Sequence, residues 1–157
     1  MSERASAGST AGAVKSRPFP AIVVGGLIVG VLDLAYAILV YNPHHPIRIP
    51  QAIASGVLGA KSFEGGAASA VLGVVLHFTI ALGAATVYFL ASRKLKFLVD
   101  RAILCGLIYG ALVFFFMHLV VLPLSAAHAG PMRIAEFVWH WFGVGLPISL
   151  SVRHYSR

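Results

Sequence analysis

Apolar residues gather in four long runs, at 19–41, 67–91, 102–122 and 133–152, with polar residues and prolines concentrated between them. A helix rises 1.5 Å per residue, so about 20 such residues cross the hydrocarbon core of a bilayer. The pattern therefore predicts an all-α chain: an integral membrane four-helix bundle. Proline marks the edges, with Pro18 and Pro20 before the first run, Pro43 after it and Pro123 after the third. Pro147 falls inside the fourth run, where neighbouring helices can compensate for its missing hydrogen bond.

The first run also admits a second reading, as a secretory signal. Lys15 and Arg17 precede it, and Ala35-Tyr36-Ala37 has the small-x-small form of a cleavage site. The apolar residues continue past that point to Tyr41 and three more runs follow, so the segment is taken as a retained helix.

Between the first two runs lies a long connection, 42–66, containing a shorter helical pattern over 47–61. Pro50 suits a first helical turn, and Ile49, Ile53, Val57 and Ala60 recur at helical spacing. Such a segment is too short to span, so it reads as an interfacial or re-entrant helix, or as a plain surface helix.

Internal similarity adds a further layer. The stretch GLIVGVLDLAYAILVYNP (26–43) aligns without a gap on GLIYGALVFFFMHLVVLP (106–123), and eight positions are identical. His77 and His140 match in the weaker comparison of runs two and four. A parallel 2+2 internal duplication would produce this pattern, and so would chance alignment of greasy helices. Gly26/Gly30 and Gly106/Gly110 each form a GxxxG step. Such steps let backbones approach, either in a homo-oligomer seam or in packing of the first helix against the third.

Composition narrows the class. Hydrophobic residues make up 59% of the 157 and charged ones 11%, with mean hydropathy +0.87. A soluble domain carries about 25% charged residues. The net charge of +7 does not indicate nucleic-acid binding, because the cations sit in short clusters between apolar runs rather than on one face. The chain's partner is instead the lipid bilayer. Arg4, Lys15, Arg17, Arg93, Lys94, Lys96, Arg101, Arg153 and Arg157 fall on one side of the four-span layout, while Arg48, Lys61 and Arg133 fall on the other. The positive-inside rule then places both termini in the cytoplasm. The Ser/Ala/Gly-rich tail, 1–17, reads as disordered, leaving one transmembrane domain at 18–157. Cys105 is the single cysteine, so no internal disulfide is available.

Candidate chemistry lies in the few polar residues within the runs: Asp33, His77, His118, Glu136 and His140. From the outer ends of their helices they sit about 12, 15, 8, 4 and 10 Å deep, which leaves the inner half without any. Polar side chains at such depths are costly in lipid, so they are expected to face a shared interior open to the outside, with a histidine as the natural partner of Asp33. Tyr41, Trp139 and Trp141 read as interfacial aromatics.

The segments PQAIASGVLGAKSFEGGAASAVLGVVLHF (50–78), VVLPLSA (120–126) and HWFGVGLPISL (140–150) resemble uncharacterised small bacterial four-helix inner-membrane proteins, broadly YagU-like. The resemblance implies a multi-pass inner-membrane address and no particular activity or catalytic residue. Three functions remain in competition. One is binding or movement of a small ligand, ion or proton. Another is a redox subunit holding haem b between histidines, His118 and His140 being closest in depth. The third is an assembly protein whose polar groups only join helices. Ser125, Ser149 and Ser151 lack a nucleophile elbow. The outer-loop residues His44, His45 and His128 form a weak metal set with no neighbouring cysteine or carboxylate.

Overall fold

The computed structural model describes residues 17–128 and 130–156. Residues 1–16, including most of the tail expected to be disordered, lie outside the described residues, as do Arg4, Lys15 and Arg157 of the charge count.

The described chain is all-helical, without strands. Helix α1 spans Pro18–Tyr41, α2 Arg48–Leu58 with a 3-10 extension Gly59–Phe63, α3 Gly66–Lys94, and α4 Phe97–Asp100. Helix α5, Ala102–Phe116, continues through a π turn, Met117–Val121, into α6, Leu122–Leu124. The last rod consists of α7 Ile134–Trp139, a π turn His140–Gly145, and α8 Leu146–Tyr155.

Three helices are long and apolar enough to cross a membrane: Pro18–Tyr41, Gly66–Lys94 and Ala102–Leu124. The fourth run forms a helical rod too, but an interrupted one that carries Glu136, His140, Ser149 and Ser151. Pro123 does not end the third rod as its position suggested. The helix passes through it to Leu124 because the preceding turn is widened.

That widening recurs. A π turn precedes Leu122-Pro123, and another precedes Leu146-Pro147. A proline inside a helix lacks the N–H and its ring clashes with the carbonyl four residues back. A turn with i→i+5 bonding moves that carbonyl away, so the helix survives the proline.

Helix α1 packs on α3 along one side and on α8 along the other, while α5 packs on the second π turn and α8. The order around the bundle is therefore α3, α1, the α7–α8 rod, α5. Helices α3 and α5 meet toward one end, where the Tyr88 and Tyr109 rings stand 4.9 Å apart and Tyr109 donates to the carbonyl of Ala84 at 2.7 Å. Small and medium side chains dominate the buried core, among them Ala21, Ala85, Val144, Ile148 and Val152. Large apolar residues such as Leu39, Val71, Ile108 and Leu119 point outward. In lipid this inverted arrangement costs nothing, and close packing of small residues replaces the hydrophobic drive.

The glycine steps are spent within the chain, though not between the first and third runs. An added Cβ at Gly26 would meet Leu82, and one at Gly30 would meet Phe78, so α1 uses its step against α3. Gly106 faces Ser149, and Gly110 faces the backbone of His140 and Trp141, so α5 uses its step against the last rod.

The N–H of Arg17 donates to the carbonyl of Tyr155 at 3.0 Å, which brings the start of α1 beside the end of α8. The α3–α5 connection lies at the same end, since the Tyr88 hydroxyl donates to Leu98 at 3.0 Å and α4 contacts α8. Arg17, Arg93, Lys94, Lys96, Arg101 and Arg153 thus gather at one end, and Arg48, Lys61 and Arg133 at the other.

Candidate functional site: a cavity within the bundle

Helix α2 shapes the second end. Its Pro50, Gln51, Ala54 and Ser55 are buried, and it lies against the first turns of α3. Gly73 permits the approach, because a Cβ there would lie 2.6 Å from the Pro50 carbonyl carbon. Gln51 donates to the carbonyl of Gly66 at 3.1 Å. The loop after α6 is tied to the same helix by Ala126 N–H donating to Gly56 at 2.9 Å. Helix α2 is therefore a fixed cover over this end of the bundle.

Beneath it lies a cavity of about 570 Å³, lined by residues from α1, α2, α3, the α5–α6 rod and the last rod. Asp33, His77, His118, Glu136 and His140 all line it. The space exists because α3 and α5 diverge away from the Tyr88–Tyr109 contact. Leu76, His77 and Ile80 form one wall, and Val113, Met117 and Val121 the other.

Each polar group is held by a specific bond. His77 Nε2 lies 3.0 Å from the carbonyl oxygen of Gly30, on α1. His118 Nδ1 lies 3.1 Å from the Phe114 oxygen, and His140 Nδ1 lies 2.8 Å from the Glu136 backbone oxygen. A carbonyl oxygen only accepts, so the facing ring nitrogen carries the proton in all three. In the neutral rings this leaves Nδ1 of His77 and Nε2 of His118 and His140 as lone-pair acceptors.

Asp33 does not take the histidine partner expected for it. Its Oδ1 accepts from the indole N–H of Trp139 at 3.0 Å. The Trp139 ring stacks on Tyr36 at 4.4 Å and 5° between planes. Trp139, read from the sequence as an interfacial anchor, is half-buried and also holds Asp33. His77 bonds one turn below Asp33 on the same helix, so both reach one cavity through different partners.

Glu136 is the hinge of the outer rim. Its Oε2 accepts from the Tyr41 hydroxyl at 3.3 Å, and its Oε1 stands 4.0 Å from His118 Nε2. The Arg133 guanidinium lies 4.9 Å over the Tyr41 ring, a cation–π contact at the edge. Phe114 is buried and packs on two of the histidines: its ring lies 4.2 Å from that of His118 and 5.4 Å from that of His140.

Both π turns fall at this site. His118 lies in the first and His140 opens the second. Widened turns re-aim side chains and concentrate at functional positions. Nothing in the hydrophobic pattern signals such a turn. The Leu-Pro pairs two residues beyond were the available cue.

No group of three or more His, Cys, Asp or Glu side chains suited to a metal ion occurs among the described residues. His44 and His45 are exposed in the loop before α2, apart from the cavity, whereas His128 lies at its rim. No family model, curated protein or solved structure matches the chain.

Proposed function

We propose that this protein is a four-span bacterial inner-membrane protein of the YagU-like kind, with both termini cytoplasmic, whose outward-facing intramembrane cavity binds a small ligand. One observation carries the reading: five polar residues from four separate rods line a single cavity of about 570 Å³. Bonds across the rods join helices here as well, but side chains that did only that would leave no such space. The gathering of cations at one end supports the orientation. The facing of α1 on α3 and of α5 on the last rod, through aligned glycines, supports a 2+2 duplication. The enzyme reading is left aside in favour of binding, and the bilayer is the partner.

Filling the cavity tests the proposal. Ala81 is buried on its wall, and Ala81→Trp would occupy much of the space. Native mass spectrometry of gently extracted protein should show a retained small molecule in the unaltered chain and none in the filled variant. Identical spectra from two folded proteins would overturn the reading.

A second reading, haem b between His118 and His140, draws on their available Nε2 atoms, since an imidazole ligand commonly donates its other N–H to a carbonyl. The Glu136 carboxylate 4.0 Å from His118 Nε2 competes for that position. A Soret band in protein purified from haem-replete cells decides it.

A further inference from the structure

We infer that the ligand of this cavity is an amphiphile with a protonated amine head, the ammonium seated among Asp33, Glu136, His118 and His140 and the chain leaving sideways between α3 and α5. This inference rests on the binding reading above and names its chemical class.

Hydrogen-bond accounting supplies the first support. Most of the donors around the cavity are already committed: Trp139 to Asp33, Tyr41 to Glu136, three histidine N–H groups to backbone carbonyls, and the Ser55 and Ser125 hydroxyls to Ala52 at 2.6 Å and Leu122 at 2.8 Å, while Tyr36 and His128 also line the space. The remaining polar lining is rich in acceptors, chiefly the two carboxylates and the second ring nitrogens of His77 and His140. His140 is only 8% exposed and lines the cavity, and its hydrogen bond is through Nδ1, which leaves Nε2 without a partner among the described residues. An acceptor that opens on a cavity suits an occupant that donates.

Charge gives the second. The protein has twelve Lys and Arg residues and a net charge of +7, yet no Lys or Arg lines the cavity, while Asp33 and Glu136 do. A carboxylate at membrane depth needs a compensating charge. An ammonium provides it together with three N–H donors. A bare metal ion is less well served, since the described residues contain no ligand set of three.

Shape gives the third. Away from the polar end the walls are apolar, formed by Ile49, Ile53, Val57, Ile80, Val121 and Leu122. Ile80 and Val57 line the space and yet are 40% and 64% exposed, so the cavity reaches the flank of the bundle. In a membrane, that flank is where acyl chains lie.

The amine could belong to an aminophospholipid or to a free alkylamine, and both share this head chemistry. Trp139 and Trp141 are the only tryptophans, and Trp141→Phe leaves Trp139, bonded to Asp33, as an internal fluorescent reporter. The protein is placed in phosphatidylcholine nanodiscs and titrated with decylammonium, decanol and decyl sulfate. Decylammonium should give saturable change, bind at least about tenfold more tightly than the other two, and lose about tenfold in affinity on Asp33→Asn or Glu136→Gln. Both substitutions keep an oxygen for the Trp139 or Tyr41 donor, so the fold is retained. Decyltrimethylammonium, a cation without N–H donors, should bind more weakly than decylammonium. Nanodiscs with added phosphatidylethanolamine separate the sources. Competition with decylammonium supports the lipid amine, and absence of competition supports the free amine. Saturable binding of decanol or decyl sulfate equal to that of decylammonium overturns the amine head and leaves the binding reading standing. If none of the amphiphiles binds, the amphiphile inference falls, and the mass-spectrometric result with Ala81→Trp then decides the binding reading separately.

Discussion

Alanine at position 110 would add one methyl group at one of the tightest helix crossings in the molecule. Gly110 of α5 lies directly on the second π turn, and Gly145 of that turn lies on Gly110 in return. A Cβ at Gly110 would be 2.7 Å from the carbonyl carbon of His140 and 2.9 Å from the Cα of Trp141. Ordinary contact begins at 3.4 Å, so the two backbones would have to part by at least about 0.7 Å, and the His140 carbonyl oxygen is nearer still. Neither partner is a flexible side-chain tip, so no rotamer change relieves the overlap. Overpacking of this kind costs about 1–3 kcal/mol and sometimes more. Better helix propensity returns at most about 1 kcal/mol. The net expectation is a loss of about 2 kcal/mol, a large share of a typical stability. Gly83→Ala is the matched control, since nothing stands within 4 Å of a Cβ there and it should be neutral or slightly stabilising. Reversible unfolding in mixed micelles with increasing dodecyl sulfate, followed by tryptophan fluorescence, measures both. If Gly110→Ala unfolds at the same detergent fraction as the unaltered chain, the crossing is not as tight as described and the π turn is free to move.

Other expectations can be checked independently. With Cys105 replaced by alanine, Lys61→Cys should react with a membrane-impermeant maleimide on intact cells, and reaction only after lysis would reverse the orientation; exposed Lys61 serves better here than Ser62, which is fully buried. Trp139→Phe keeps the ring that stacks on Tyr36 but removes the donor to Asp33, which should cost about 1–3 kcal/mol in the same unfolding assay, and an unchanged midpoint would show that the bond is not formed. His77→Leu removes the α3-to-α1 bond to Gly30 and should cost about 1 kcal/mol, so a stabilised variant would argue against that bond.

The helical rods were legible because a 20-residue apolar run has few alternatives in a membrane. Helix α2 was legible from Pro50 and the spacing of Ile49, Ile53 and Val57. The candidate site could be read for a related reason: polar residues at membrane depth are costly, so Asp33 and the three histidines were conspicuous, and the structure places them on one cavity. Partner choice was not legible. Trp139 looks like any interfacial tryptophan until the helix crossing puts its N–H against Asp33, 106 residues away. The partners of the glycine steps were hidden similarly, because a GxxxG step marks a face for close approach without naming the helix that fills it. The π turns were hidden for a different reason. In a segment that is apolar all round, a change in winding leaves no shift in a periodicity that was never there.

Those turns make the bundle a splice of two angular phases. A π turn amounts to one residue inserted into an α-helix, and each residue advances an α-helix by about 100°. Before Met117 and after Val121, α5–α6 therefore presents faces offset by about that angle, and the last rod does the same across His140–Gly145. The half built on Tyr88, Tyr109 and the glycine crossings can then keep one register while the half around α2 keeps another. A single-residue deletion would here take out the extra residue of the winding, and with it the room that lets the helix pass Pro123. Removing Leu119 would bring the segment beyond it back to α-helical phase and swing Ser125 and its loop away from α2, with the glycine-packed half left in place.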